Sequence, residues 1–210
     1  MGMHEYSPVV RKGKFRCREI QWASDTSVVC RTRDGSGSGL NIVYTVAHQY
    51  GSLTHAFSYD TPTAINVTHT RLAAAGTTTI TVSGMNFGDA EAFVDVRIGG
   101  TSCQSTTFLS FSEVQCLTAA GVDIDHTLTV QVEDQTGTLG FPLSYVAPVV
   151  LNVTRKSGSA TGGNILPVLG KHFGAFDSST KAQLGATATA SSVWTSDSIM
   201  SCKTAQGVDN

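Results

Sequence analysis

Cys116-Leu117-Thr118-Ala119-Ala120-Gly121-Val122-Asp123 returns 86 residues later, without a gap, as Cys202-Lys203-Thr204-Ala205-Gln206-Gly207-Val208-Asp209. The same offset carries Pro62, Asn66, Val67 and Thr68 onto Pro148, Asn152, Val153 and Thr154. It carries Gly84, Phe87 and Gly88 onto Gly170, Phe173 and Gly174, and Gly99 onto Gly185. Across residues 62–124 and 148–210, 21 of 63 positions are identical. A period this regular defines a repeated structural unit before any single motif is weighed.

The period also runs toward the start of the chain. Cys17, Trp22, Ser24, Cys30, Thr32 and Gly35 stand 86 residues before Cys103, Phe108, Ser110, Cys116, Thr118 and Gly121. Gly51, Ser58 and Tyr59 precede Gly137, Ser144 and Tyr145 in the same way. Three units follow: residues 1–61 as the C-terminal part of a first repeat, 62–147 as a complete repeat, and 148–210 as the N-terminal part of a third. The first begins at the position of Phe87 and the last stops at that of Ile124. The expectation is a segment of a longer repeat protein, because the partial units would leave strand edges and an apolar core open.

Inside the complete unit the apolar pattern has period two. Ile65 and Val67 flank Asn66, and Thr79–Ser83 alternates up to Gly84. Val94, Val96 and Ile98 alternate before Gly99-Gly100, and Phe108 to Cys116 reads as a further run. Leu128, Val130 and Val132 alternate, as do Phe141, Leu143 and Tyr145. About six short strands separated by turn residues, with no sustained 3.6 period, predict an all-β antiparallel sandwich. On this phase Ile65 and Val67, and Leu151 and Val153, face inward, which turns Asn66 and Asn152 outward. Trp22, Phe108 and Trp194 share one repeat position and read as core plugs.

These residues resemble an IPT/TIG domain, the immunoglobulin-like unit of plexins, of large ciliary and algal surface proteins and of some transcription factors. The resemblance rests on the Pro62-led strand, Thr79–Gly88, Ile98–Cys103, Val114–Thr118 and the closing Ser144-Tyr145. It covers essentially the whole chain as a tandem array. The third unit departs from it, with Thr189 where Cys17 and Cys103 stand. The resemblance implies tandem immunoglobulin-like sandwiches; it implies fold far more than function.

Composition agrees. Charged residues make up 14% of the 210 residues, against roughly a quarter in ordinary domains, while Ser and Thr together number 49. Such a chain favours strands and tight turns. The net charge of −2 argues against a dedicated nucleic-acid binder. Charge is uneven: residues 1–33 hold seven basic against three acidic residues. The run Arg11, Lys12, Lys14, Arg16, Arg18 reads as a strand edge guarded by positive charge, with a polyanion contact as the other reading. No apolar stretch approaches the 18 residues of a membrane-spanning helix, so no direct membrane insertion of this segment is expected.

Cys17/Cys30 and Cys103/Cys116 repeat one 13-residue spacing. Two disulfides follow, each closed across a Gly-containing turn, with Cys202 left unpaired or joined between chains. The other reading, five reduced buried thiols, leaves the duplicated spacing unexplained. Asn66-Val67-Thr68 and Asn152-Val153-Thr154 are N-glycosylation acceptors at the same repeat position. Disulfides with sequons place the chain outside the cell or on its surface.

No nucleophile elbow, phosphate loop, dinucleotide fingerprint or zinc spacing occurs, so neither an enzyme nor a cofactor protein is expected; covalent N-glycans are the expected additions. Asp123, Asp125 and Asp209 raise the question of inter-repeat calcium, and the Gly-Val-Asp context reads instead as a turn in which Asp bonds its own backbone. Glu133-Asp134-Gln135 reads as a hairpin turn. The expected function is a structural segment of an extracellular glycosylated rod, stalk or filament. Its partners would be neighbouring repeats or other copies of the chain. The alternative is a ligand-binding or adhesive ectodomain segment of a plexin-like or ciliary surface receptor, facing glycans or surface proteins.

Overall fold

The computed structural model describes residues 8–206, and every regular element among them is a strand. The first copy gives β1 (Val9–Lys12), β2 (Phe15–Arg16), β3 (Glu19–Ser24), β4 (Ser27–Arg31), β5 (Leu40–Val46) and β6 (Gln49–Phe57). The second gives β7 (Thr63–Val67), β8 (Arg71–Leu72), β9 (Thr79–Met85), β10 (Val94–Ile98), β11 (Thr101–Ser102), β12 (Ser105–Ser110) and β13 (Glu113–Leu117). It closes with β14 (Leu128–Val132), β15 (Gln135–Thr138) and β16 (Ser144–Tyr145). The third holds β17 (Val149–Val153), β18 (Ile165–Lys171), β19 (Gln183–Leu184), β20 (Thr187–Ala188), β21 (Ser191–Ser196) and β22 (Ile199–Lys203). β3, β12 and β21 have identical bounds after shifts of 86 residues, and so do β4, β13 and β22.

The complete copy packs the sheet β12-β13-β9-β7 against the sheet β11-β10-β14-β15. Alternate residues of each strand meet between them. Ile80 and Val82 of β9, Val96 of β10, Val114 and Cys116 of β13, and Leu128, Val130 and Val132 of β14 are all fully buried. Each such aliphatic side chain contributes about 1.5–3 kcal/mol. Phe87, Leu72 and Leu143 fill the ends of the same core. One pair departs from the antiparallel expectation: β16 runs parallel to β8, with Tyr145 opposite Leu72. That pairing ties the last strand of the copy to its first loop.

The run from Phe108 to Cys116 is two strands, not one. β12 and β13 form a hairpin that turns at Phe111-Ser112. The turn uses no glycine, contrary to the sequence expectation. Ser110 Oγ accepts from the Ser112 amide at 3.3 Å, and Ser24 with Thr26 and Ser196 with Ser198 repeat this bond. A hydroxyl that mimics a backbone turn replaces the glycine in all three copies.

The inward phase of Ile65 and Leu151 is also corrected. A β-bulge lies between Ala64 and Asn66, and another between Val150 and Asn152. The extra residue shifts the alternation, so Ala64 and Val67 point in while Ile65 and Asn66 both point out. Ile65 is 52% exposed and Leu151 61%.

Trp22 is 64% exposed, on a hairpin that among the described residues has no counterpart of the β9 and β7 that extend the sheet of Phe108 in the second copy. An open groove of about 860 Å³ lies there, lined by Val10, Trp22, Val28, Ile42, Tyr44 and Phe57 among others. Trp194 and Phe108 do pack partly against their cores.

The basic run splits. Arg11, Lys14, Arg16 and Arg18 are exposed on or beside the edge pair β1–β2. Lys12 points the other way, because alternation on β1 puts it with Val10 on the inner face. Its ammonium lies 3.6 Å from the Tyr59 ring centre and 4.2 Å from that of Phe57. Burial pushes its pKa down, and no hydrogen-bond acceptor meets Nζ.

Candidate functional site

The chemistry-bearing features gather where one copy meets the next. At the first junction the loop after β4 meets the β14–β15 turn of the second copy. The amide of Ser38 donates to Asp134 Oδ1 at 3.0 Å, and the Ser38 hydroxyl donates to the other carboxylate oxygen. These bonds hold the Asp134 carboxyl below the usual carboxylate range. The neighbouring Gln135 side chain is buried and donates to the Tyr59 carbonyl at 2.9 Å. Burial raises the Tyr59 pKa, with Asp89 and Asp34 nearby adding to it. A cleft of about 590 Å³ opens between the two copies, with Arg33, Tyr59, Asn86, Asp89, Phe108 and Phe111 on its walls.

The second junction follows Tyr145 after only Val146, Ala147 and Pro148. It forms a groove of about 370 Å³ between Val122–Ile124 of the second copy and His172, Phe173, Ser178, Thr180 and Lys181 of the third. One contact is common to both junctions. Gly88 faces Ser36, whose Cβ would lie 3.2 Å from a Cβ built on that glycine. Gly174 faces Val122 in the same sense, at 3.5 Å. Ser36 and Val122 are 86 residues apart, as are the two glycines, and both glycines have φ near the left-handed region (+82° and +91°).

Cys17–Cys30 and Cys103–Cys116 are disulfide-bonded, each with Cα atoms 5.8 Å apart. Cys202 is a free thiol, 2% exposed, and burial pushes its pKa up. Thr189 takes the place of its partner and donates to the Ala182 carbonyl at 3.0 Å.

Asn66 and Asn152 are both exposed, each on the last strand of its sheet. Asp123 Oδ1 accepts from the Ile124 amide at 2.9 Å, in a turn with Asp123 at φ +85°. Asp209 lies outside the described residues. Among those residues no group of three or more His, Cys, Asp or Glu side chains is placed to hold a metal ion, and no helix is long and apolar enough to cross a membrane.

Sequence reading located the cysteines and the sequons. It missed Ser38, and Asp134 and Gln135 were legible only as residues of a hairpin turn. Their partners lie 96 and 76 residues away along the chain, and turn composition carries no record of what a turn touches. The recurrence of Tyr59 as Tyr145 was the available signal that the end of each copy is a structured joint.

A family model described as the IPT/TIG domain matches residues 62–145 and 148–210. Among solved structures, the full extracellular region of plexin A4 aligns over 95% of this chain at 18% identity and a TM-score of 0.42. A protein solved with a xylogluco-oligosaccharide aligns over 96% at 13% identity and a TM-score of 0.41. An auxiliary nutrient binding protein from Bacteroides ovatus aligns over 50% at 20% identity and a TM-score of 0.35. The chain spans 18%, 49% and 27% of those three chains respectively.

Proposed function

The chain belongs to the IPT/TIG domain family, and from that premise we propose that it is a stiff segment of an extracellular, N-glycosylated rod built from tandem copies of one 86-residue unit. The observation that carries this reading is the recurrence of one inter-copy contact, Gly88 against Ser36 and Gly174 against Val122. A matching contact at successive junctions supports one repeated placement of copy on copy, and a repeated placement of closely linked units suits a rod. The three-residue connection Val146–Pro148 supports it, since a short link ending in proline restricts domain motion.

Two disulfides in one chain support an oxidising compartment. In that compartment Asn66 and Asn152 are acceptors, and they carry one glycan per unit. The role is mechanical. Small-angle scattering and electron microscopy of the chain, and of a longer tandem, test the rod. The expected result is a maximum dimension that grows by a constant increment per unit, with one narrow distribution of inter-unit angles. A broad angle distribution sinks it.

One observation favours a second reading, a ligand-binding or adhesive ectodomain. The cleft between the first two copies brings the rings of Tyr59, Phe108 and Phe111 together with Arg33, Asn86 and Asp89. Apolar rings with a few polar groups suit a small polar ligand. Saturation-transfer spectroscopy with a panel of oligosaccharides decides it: signal abolished by Phe111→Ala and Tyr59→Ala supports binding there.

A further inference from the structure

We propose that the sugars at Asn66 and Asn152 are edge guards: each covers the apolar side chain that a β-bulge turns outward beside it, and each blocks the free edge of its strand against pairing with a second chain. The proposal rests on the glycosylation reading above and assigns it a physical task.

Four observations meet at one repeat position. First, β7 and β17 are the terminal strands of their four-stranded sheets, so one side of each backbone has no hydrogen-bonded strand, although β15 packs against the start of β7 at Pro62 and Thr63. Terminal strands are templates for edge-to-edge association unless something blunts them. Second, neither strand contains a charged residue: they read Thr63-Ala64-Ile65-Asn66-Val67 and Val149-Val150-Leu151-Asn152-Val153. The lysine that commonly guards such an edge is missing, whereas the edge strand β2 carries Arg16 between Lys14 and Arg18.

Third, the bulge recurs at Ala64/Asn66 and at Val150/Asn152. Without it, strict alternation from Ala64 inward would bury Asn66. With it, the asparagine faces solvent, and the residue before it faces solvent too. Fourth, that residue is a large aliphatic in both copies, Ile65 at 52% and Leu151 at 61% exposure. An uncharged, aliphatic, exposed edge is the combination that drives strand addition. The first N-acetylglucosamine of a glycan has an apolar face and is anchored on the adjacent residue. It lies over Ile65 or Leu151, and the rest of the tree excludes an incoming strand by volume.

The test uses the chain secreted from a glycosylating eukaryotic host. Intact mass first establishes whether both sites are occupied. Sedimentation velocity over a concentration series and binding of an apolar fluorescent dye are then compared between the glycoprotein and Asn66→Gln/Asn152→Gln. The same comparison on glycoprotein stripped enzymatically after purification bypasses any folding defect. The expected result is concentration-dependent association and several-fold more dye bound without glycan. Both are returned to the glycoprotein's values by adding Ile65→Ser and Leu151→Ser. Occupied sites with unchanged association and dye binding on stripping overturn the guard role and leave glycosylation standing. Association that Ile65→Ser/Leu151→Ser does not reverse overturns the apolar cover. Bare asparagines at both positions overturn this proposal together with the glycosylation reading.

Discussion

The Tyr145 hydroxyl donates to the Ala119 carbonyl at 3.1 Å, across a loop whose Gly121 leaves room for the ring. Tyr59 and Arg33 make the same bond at 2.7 Å one unit earlier, over Gly35. A Cβ at either glycine would collide with the tyrosine ring. The pair therefore explains why Gly35 and Gly121 recur. It also locks the end of each copy to the loop that bears on the next, since Ser36 and Val122 directly follow those glycines.

Gly121→Ala is expected to destabilise the complete copy by roughly 1–3 kcal/mol, the cost of forcing extra volume into a filled site. Tyr145→Phe removes only the hydrogen bond and costs about 1 kcal/mol. Thermal unfolding of the full chain, with hydrogen exchange to assign the loss to residues 62–147, reads both. A smaller effect of Gly121→Ala than of Tyr145→Phe would contradict the steric argument.

The Ser38–Asp134 contact is a pH-sensitive joint. Its carboxyl is depressed in the folded chain by the two Ser38 bonds. A depressed acid contributes its full share above its ordinary value of about 3.9, and loses it as pH falls through the lower folded value. The first junction is therefore expected to loosen below about pH 4 and to be unaffected between pH 6 and 8. Asp134→Ala should loosen it at every pH. Scattering curves, and the Ser38 amide chemical shift followed on acidification, measure this. A junction as open at pH 7 as at pH 3 in the unmodified chain would count against it.

The disulfides make a separable prediction. Each closes a short loop, and the chain-entropy relation gives about 3 kcal/mol for loops of this size. Cys103→Ala/Cys116→Ala is expected to lower stability by that order. Without reductant, one thiol of the five cysteines reacts with an alkylating agent, and only in denaturant, because Cys202 is buried. Peptide mass spectrometry with and without denaturant reads it. Labelling of Cys202 in the native chain would refute its burial.

How far the sequence reached follows from which forces are local. The 86-residue period and the alternation within it located the core-facing residues, because Ile80, Val82, Val114 and Cys116 must face one core and period two fixes which residues those are; it ran β12 and β13 together, because their turn carries no glycine. The bulge at Ala64/Asn66 was not legible. Ala64 and Ile65 are both apolar, and composition cannot say which one the sheet rejects. Lys12 misled for a related reason: beside Arg11 and Lys14 it reads as part of a charged edge, yet β1 turns it onto the rings of Phe57 and Tyr59. Asp134 was hidden because its partner belongs to another copy.

The third copy offers the sharpest test of the repeat. Cys202 occupies the place of Cys30 and Cys116, and Thr189 that of Cys17 and Cys103. The hairpin β21–β22 has the bounds of β3–β4 and β12–β13 after the 86-residue shift, with its register slip at the matching place. In the Thr189→Cys variant the new thiol should therefore find Cys202 with the backbone spacing of the two existing bridges. The substitution forfeits the hydroxyl bond to the Ala182 carbonyl, about 1 kcal/mol. It gains a closed 13-residue loop, about 3 kcal/mol. The net expectation is a third copy more stable by about 2 kcal/mol, the difference of those two contributions, under oxidising conditions only. Non-reducing peptide mapping of Thr189→Cys detects the new bridge to Cys202, and thermal unfolding with and without reductant measures its effect. If both thiols stayed free in air-oxidised, folded protein, the third hairpin would not share the geometry of the first two.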